Sequence, residues 1–262
     1  MTSKTEPRLL CYDLGEGVTA FSTTRHGGVS ETNYASFNIN PYCGDSADHV
    51  AHNRQLLADR LGLPASHIVL PHQVHGIEHR AVAPELLDMS DAVRDKILDG
   101  VDMVTTSMTG VCIGVSTADC IPVLLYDPVA RATAAIHAGW RGTLQRICQR
   151  AVMAMQLHYG TTPDRLRAVV GPGISLANFE VGQEVYDQFL QAGFDLAETA
   201  EWHTKWHLDL PGINIRELIG CGVAPEHIHH AGICTFDHAD DYFSARRLGI
   251  DSGRIYTGIL MR

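Results

Sequence analysis

Short apolar runs, mostly rich in Val, Ile and Ala and bounded by turn residues, with Gly and Pro spread between them as punctuation, recur along this chain and restrict it to a sheet-based fold. They occupy 18–23, 68–70, 111–115, 123–126, 132–136, 168–170 and 255–259. Helical periodicity is confined to 47–61, 143–158, 181–191 and a shorter segment at 214–221. In 143–158, Leu144, Ile147, Cys148, Ala151, Val152 and Met155 form an apolar stripe, Gln145, Arg146, Gln149 and Arg150 lie opposite, and Gly160 and Pro163 supply the stop. Strands outnumber helices and do not alternate strictly with them. A doubly wound parallel sheet therefore fits poorly, and the expected fold class is α/β (α+β), a mixed sheet covered by helices. No linker, repeat or low-complexity stretch divides the chain, so 1–262 reads as a single domain.

Charge narrows the partners. The chain of 262 residues has a formal charge of −10, and its basic residues are scattered apart from Arg246-Arg247. That argues against an extended nucleic-acid surface and leaves room for a small anion. No stretch has the length and apolarity of a membrane span, and Met1–Pro7 is polar without a secretory apolar region, so a cytoplasmic address is expected. Seven cysteines without a Cys-x-x-Cys pair read as mostly buried thiols. Nothing in the sequence marks an interface, and a monomer is the default.

Two segments carry chemistry. Ser-Thr-Ala-Asp-Cys-Ile-Pro (116–122) and Ala-Ile-His-Ala-Gly-Trp-Arg-Gly (135–142) put Cys120 and His137 at the ends of neighbouring apolar runs, and Pro-His-Gln-Val-His-Gly (71–76) adds His75 in a turn-like segment. Two imidazoles and a thiolate match the softness of zinc, which in catalytic sites keeps three protein ligands and one open position. The spacing is not that of a zinc finger, so only tertiary structure can assemble the set. Two other readings stand beside it: a Cys120 nucleophile with a His137 base, and a buried thiol with two hydrogen-bonded histidines. Cys148, on a helical stripe, and Cys112, inside a strand, are core residues.

Three further segments are open to two readings each. Gly139–Thr143 precedes the clear helix, where free N–H groups and Arg141 suit an anion, or where Thr143 simply caps a turn. Thr23–Gly28 places Arg25 in a tight turn, for an anion or a carboxylate. Gly171-Pro172-Gly173-Ile174 leads to Phe179–Gly182, putting Glu180 near a helix start as a proton-transfer group or a structural carboxylate.

Several segments in order resemble one family: Thr-Thr-Arg-His-Gly-Gly-Val-Ser (23–30), Gln-Val-His-Gly (73–76), Asp-Gly-Val-Asp-Met-Val-Thr (99–105), Thr-Ala-Asp-Cys-Ile-Pro (117–122), His-Ala-Gly-Trp-Arg-Gly (137–142), Gly-Pro-Gly-Ile (171–174), Phe-Glu-Val-Gly (179–182) and Phe-Ser-Ala-Arg-Arg (243–247). The chain resembles the YfiH family, also called the laccase-domain or multicopper polyphenol oxidase family, whose bacterial members are also called peptidoglycan editing factors. The resemblance implies a layered α/β sandwich with the site at strand ends. It further implies a zinc-dependent purine nucleoside phosphorylase acting on adenosine, inosine and methylthioadenosine, with adenosine deaminase activity. Carried over, the family's metal ligands fall on His75, Cys120 and His137, with His72 as a neighbour that is not itself a ligand. Phosphorolysis requires an anion pocket and a proton donor to the purine. Arg25, Arg54 and Arg141 are the anion candidates, and Glu180, with Cys120 and His137, completes the catalytic set. Ala245, where the family commonly has an aromatic or histidine, and Ser252, where Thr is usual, depart from its pattern. Two further functions stand beside the phosphorylase. One is a copper-dependent polyphenol oxidase, implied by the older family name but opposed by the lack of paired His-x-His segments beyond His227-Ile228-His229, with copper expected at a thiolate and imidazole site only adventitiously. The other is a Cys120/His137 hydrolase acting on a cell-wall precursor.

Overall fold

The computed structural model describes residues 6–262, so Met1–Thr5 of the N-terminal segment lie outside it. A five-stranded sheet runs in the order β1 (Leu9–Tyr12), β2 (Val18–Thr23), β14 (Ile255–Met261), β6 (Cys112–Thr117), β3 (Ile68–Val69). A six-stranded sheet runs β13 (Ile228–His230), β9 (Arg167–Val170), β7 (Ile121–Asp127), β8 (Ala132–Ala138), β5 (Val101–Thr106), β4 (Glu78–Ala81). A small sheet is formed by β10 (Glu180–Val181), β12 (Trp206–Leu208) and β11 (Ala200–Trp202). The β3–β6, β4–β5 and β13–β9 pairs are parallel and the other strand pairs antiparallel, which makes both large sheets mixed. The helices are α1 (Ala47–Leu61), α2 (Pro84–Asp88), α3 (Asp91–Ile97), α4 (Trp140–Leu144), α5 (Ile147–Tyr159), α6 (Gln183–Gln191), α7 (Leu210–Gly220) and α8 (Ala245–Leu248).

Alternation along each strand sorts side chains into layers. Ile113, Val115 and Ile259 of one sheet meet Leu124, Tyr126, Ala135 and Val169 of the other in a shared core. The intervening residues Cys112, Tyr256 and Leu260 face outward onto Leu57 and Leu61 of α1. On the far side, Val123, Leu125, Ala134 and Ile136 face Ile147, Cys148, Ala151 and Met155 of α5 and Ile213 and Leu218 of α7. The central strands are thus covered on both faces, which is why they read as continuous apolar runs. Each large aliphatic side chain buried this way stabilises the fold by about 1.5–3 kcal/mol relative to exposure.

The periodic segment 143–158 is two helices rather than one. Arg146 breaks it with φ +60, held there by an ion pair with Glu217 and by the Phe194 ring, 4.2 Å from its guanidinium carbon. Thr143 does not cap a helix: it is buried inside α4, whose N-cap is Gly139, and it bonds Asn214. Helix α6 starts two residues after Val181, because Glu180 and Val181 pair with β12 as a strand, and Glu180 therefore lies outside the helix start. Helix α7 starts at Leu210, four residues before the predicted segment, with the Asp209 side chain accepting from the Gly212 N–H. Strand β4 carried no apolar signal, since Glu78, Arg80 and Ala81 are exposed. In β5 the buried Asp102 interrupts the hydrophobic pattern.

Candidate metal centre

Antiparallel pairing of β7 with β8 sets Pro122 opposite His137 and Ile121 opposite Ala138, so Cys120, one residue before β7, arrives beside the end of β8. The turn 72–76 delivers the third side chain. Gln73 fastens that turn to the end of β6 by donating to the Ser116 carbonyl at 2.9 Å and accepting from the Ser116 N–H at 2.8 Å. The ligand atoms of His75, Cys120 and His137 lie within 4.8 Å of one another.

Asp102 organises the centre from beneath. It is fully buried, and its carboxylate accepts from the N–H groups of Val74, His75 and Gly76 at 3.2, 3.0 and 2.7 Å. The same carboxylate lies 2.7 Å from His137 Nδ1. One side chain therefore holds the His75 turn, where His75 adopts φ +62, and turns His137 Nε2 toward Cys120. Such a carboxylate behind a histidine fixes ring orientation and raises ligand basicity. Burial pushes the Asp102 carboxyl up, but the hydrogen bond and charge of His137 and the backbone donors outweigh it and hold the group below its ordinary value.

Electrostatics couples the other two groups. Burial raises the Cys120 thiol, yet the charge and hydrogen bond of His137 and then the bond from His75 bring it down to about 6. Burial lowers His137, while the Cys120 thiolate and Asp102 raise it to about 9. A thiolate beside imidazole nitrogens is the donor chemistry that zinc takes. Room is kept open as well: a Cβ at Gly139 would come to 3.0 Å from His75 Cδ2 and 3.1 Å from Cys120 Sγ. The residues present fit a bound metal.

The centre lies in a cavity of about 510 Å³ lined by Asn40, Tyr42, His72, Gln73, Ser116, Asp119, Phe179, Arg246 and Arg254 among others. Tyr42 and His72 stack with ring centroids 4.3 Å apart, and His72 Nδ1 lies 2.6 Å from Asp99. Asn40 Nδ2 donates to Ser116 Oγ at 2.6 Å. Arg254 has its donors taken up by the carbonyls of Ser252, Gly253 and Ile250.

The other sequence candidates are not brought to this cavity. Arg25 spends Nε on the Ala35 carbonyl and Nη1 on the Ala239 carbonyl, lies over Phe243, and has its pKa lowered by burial; it ties loops together. Arg54 donates to the Ile68 carbonyl, lines a different cavity, and is also lowered by burial. Arg141 is exposed over the Trp140 ring, and the carboxylate of Glu180 points to Lys205 at 2.7 Å, which holds it below the usual range. Arg246 and Asp102 stand in motifs the sequence reading quoted, but a lone arginine in a pair and a lone aspartate in a strand carry no mark of their partners.

Residues 19–262 match the family described as multi-copper polyphenol oxidoreductase laccase. A protein of Bacteroides thetaiotaomicron named purine nucleoside phosphorylase is 44% identical over 247 residues, covering 93% of this chain and 92% of its own. Adenosine deaminase RL5, from an unknown prokaryotic organism, is 39% identical and covers 93% of this chain and 94% of its own. The crystal structure of the Bacillus licheniformis hypothetical protein YfiH superimposes with a TM-score of 0.90 at 27% identity, covering 100% of this chain and 98% of that one. Matched along nearly all its length in sequence and in fold, the chain belongs to the multi-copper polyphenol oxidoreductase laccase family, the YfiH-like proteins.

Proposed function

We propose that this chain is a zinc-dependent purine nucleoside phosphorylase acting on adenosine, inosine and methylthioadenosine, and that it also deaminates adenosine. The observation that carries the reading is the His75, Cys120 and His137 cluster, its donors within 4.8 Å of one another on the wall of a nucleoside-sized cavity. The names of the relatives support the choice of reaction. Zinc held by these three side chains supplies Lewis acidity in the cavity.

The chain's own residues do the rest. Tyr42 and Phe179 offer aromatic faces to a purine, and Asn40 and Ser116 offer polar atoms beside them. Arg246 presents a guanidinium for phosphate, whose oxygen attacks C1′ as the bond from C1′ to the purine nitrogen breaks. The departing purine needs a proton, and His72, steadied through Nδ1 by Asp99, can give one from its other nitrogen. Glu180, paired with Lys205, is poorly placed to do so.

A second reading is favoured by one observation, the Cys120, His137 and Asp102 series with a lowered thiol and a raised imidazole. Without metal it is a nucleophile, base and orienting group. Incubating the protein with adenosine separates the readings. The phosphorylase reading requires adenine only when phosphate is present, deamination seen as inosine without phosphate and as inosine or hypoxanthine with it, and loss of both reactions with a chelator. Absence of both products would overturn it, and a chelator-resistant reaction blocked by thiol alkylation would favour the hydrolase. Phenol oxidation that follows added copper and vanishes on zinc loading would mark copper as adventitious.

A further inference from the structure

We infer that Asp119, beside the ligand Cys120, is a positioning residue that sets Arg246 for phosphate; this deepens the proposed phosphorylase reading and rests on it. Asp119 is buried, and its two carboxylate oxygens serve two separate segments. Oδ1 accepts from the Thr235 hydroxyl at 2.7 Å, and Oδ2 accepts from the backbone N–H of Arg246 at 2.7 Å. Its main-chain carbonyl accepts from Ile174 N–H at 2.8 Å. The segment carrying Cys120, the Gly173 turn, the Thr235 segment and the first turn of α8 are therefore fastened at one residue.

The fastening bears on the cavity's cation. Arg246 donates from Nη2 to the Glu180 carbonyl at 3.1 Å, and its guanidinium carbon lies 5.6 Å from the centre of the Phe179 ring. Among the described residues no carboxylate pairs with it, whereas the donors of Arg254 are consumed by carbonyls. With its backbone held by Asp119 and its side chain steadied by Glu180 and Phe179, Arg246 is pre-set toward an anion in the cavity. Holding a reactant in place is worth much of a barrier, and a misplacement of about 1 Å can cost about 100-fold.

Backbone conformation allows side chain and main chain to be tested apart. Asp119 has φ +84, a region open to glycine and tolerated by asparagine but costly for alanine. Asp119→Asn keeps the backbone and both bonds, since its oxygen can accept from Arg246 N–H while its amide donates to the Thr235 oxygen. Asp119→Gly keeps the backbone and loses both bonds.

Phosphorolysis of adenosine is to be measured with phosphate and adenosine varied in turn, alongside zinc content and calorimetric titration with inorganic phosphate. For Asp119→Gly the expected result is a phosphate KM raised at least about tenfold, in line with a lost hydrogen bond to a positioned group. The adenosine KM should move less than about threefold, with zinc retained. Asp119→Asn should restore the phosphate KM to within about threefold of wild type. A general loss of packing would lower kcat through the active fraction and leave the two KM values together. Wild-type activity with an unaltered phosphate KM in Asp119→Gly would overturn the inference alone. If wild type shows no phosphorolysis the phosphorylase reading fails, and the titration then decides the inference: weaker phosphate binding by Asp119→Gly upholds it, while equal binding, or none by wild type, overturns it.

Discussion

Asp102 connects more of the centre than any of its three clustered side chains, since one carboxylate receives three backbone N–H groups and a ring nitrogen. Asp102→Asn should fold, because an amide oxygen still accepts, but it removes the charge and turns a donor toward groups that are themselves donors. Zinc affinity should fall by about 10–100-fold, measured by competition with a chromophoric chelator; wild-type affinity would show that Asp102 does not tune the ligands. His75, Cys120 and His137 were legible because a thiol and imidazoles at turns beside small residues suggest ligands. Asp102 was not, since its partners lie 26 to 35 positions away along the chain. The fate of Arg25 was hidden in the same way, since one of its carbonyl partners, Ala239, lies 214 positions away and the other, Ala35, bears no mark of the contact.

The turn that carries His75 is fastened through Gln73 to Ser116 of β6, so the register of β6 against β14 is part of the site's foundation. Gly114 faces Gly258 across that pair, and a Cβ on Gly114 would run into the Tyr256 ring and the Thr257 carbonyl. The Tyr256 hydroxyl also donates to the Val69 carbonyl at 3.0 Å, tying β3 to the same spot. Gly114→Ala should therefore destabilise by at least about 1–3 kcal/mol through overpacking. That is a fall of several degrees in Tm for a chain of this size; an unchanged Tm would contradict the register. The apolar strands and α1 were legible because burial on both faces, or on one stripe, leaves a regular pattern. The break at Arg146 was not, because a periodic stripe continues across it and the cause is Glu217 on another helix.

Taken whole, the molecule is four layers sharing residues between cores, and we propose that residues 6–262 unfold as one cooperative unit, seen as a single calorimetric transition; two separable transitions would contradict it. Acid should weaken that unit in part through His79, whose pKa is lowered to about 4 by burial, with His158 and Arg80 adding to the effect. Between about pH 6.5 and pH 4 the unfolded chain binds a proton that the folded chain refuses, so stability falls as pH drops through this window. His79→Gln should flatten that slope in urea unfolding, and an unchanged slope would remove His79 from the explanation. The α/β class and the mixed sheets followed from apolar runs that outnumber helices, and the layered sandwich from the family resemblance. The small sheet β10, β12, β11 did not, since strands of two or three residues leave almost no pattern.

The most direct test of the zinc phosphorylase reading is to measure zinc content and phosphate-dependent adenine release on the same preparations of wild type and Cys120→Ser. About one zinc per chain, with adenine formed only when phosphate is present, and both lost in the variant, is the predicted result. Undiminished phosphate-dependent adenine release by zinc-free Cys120→Ser would contradict it.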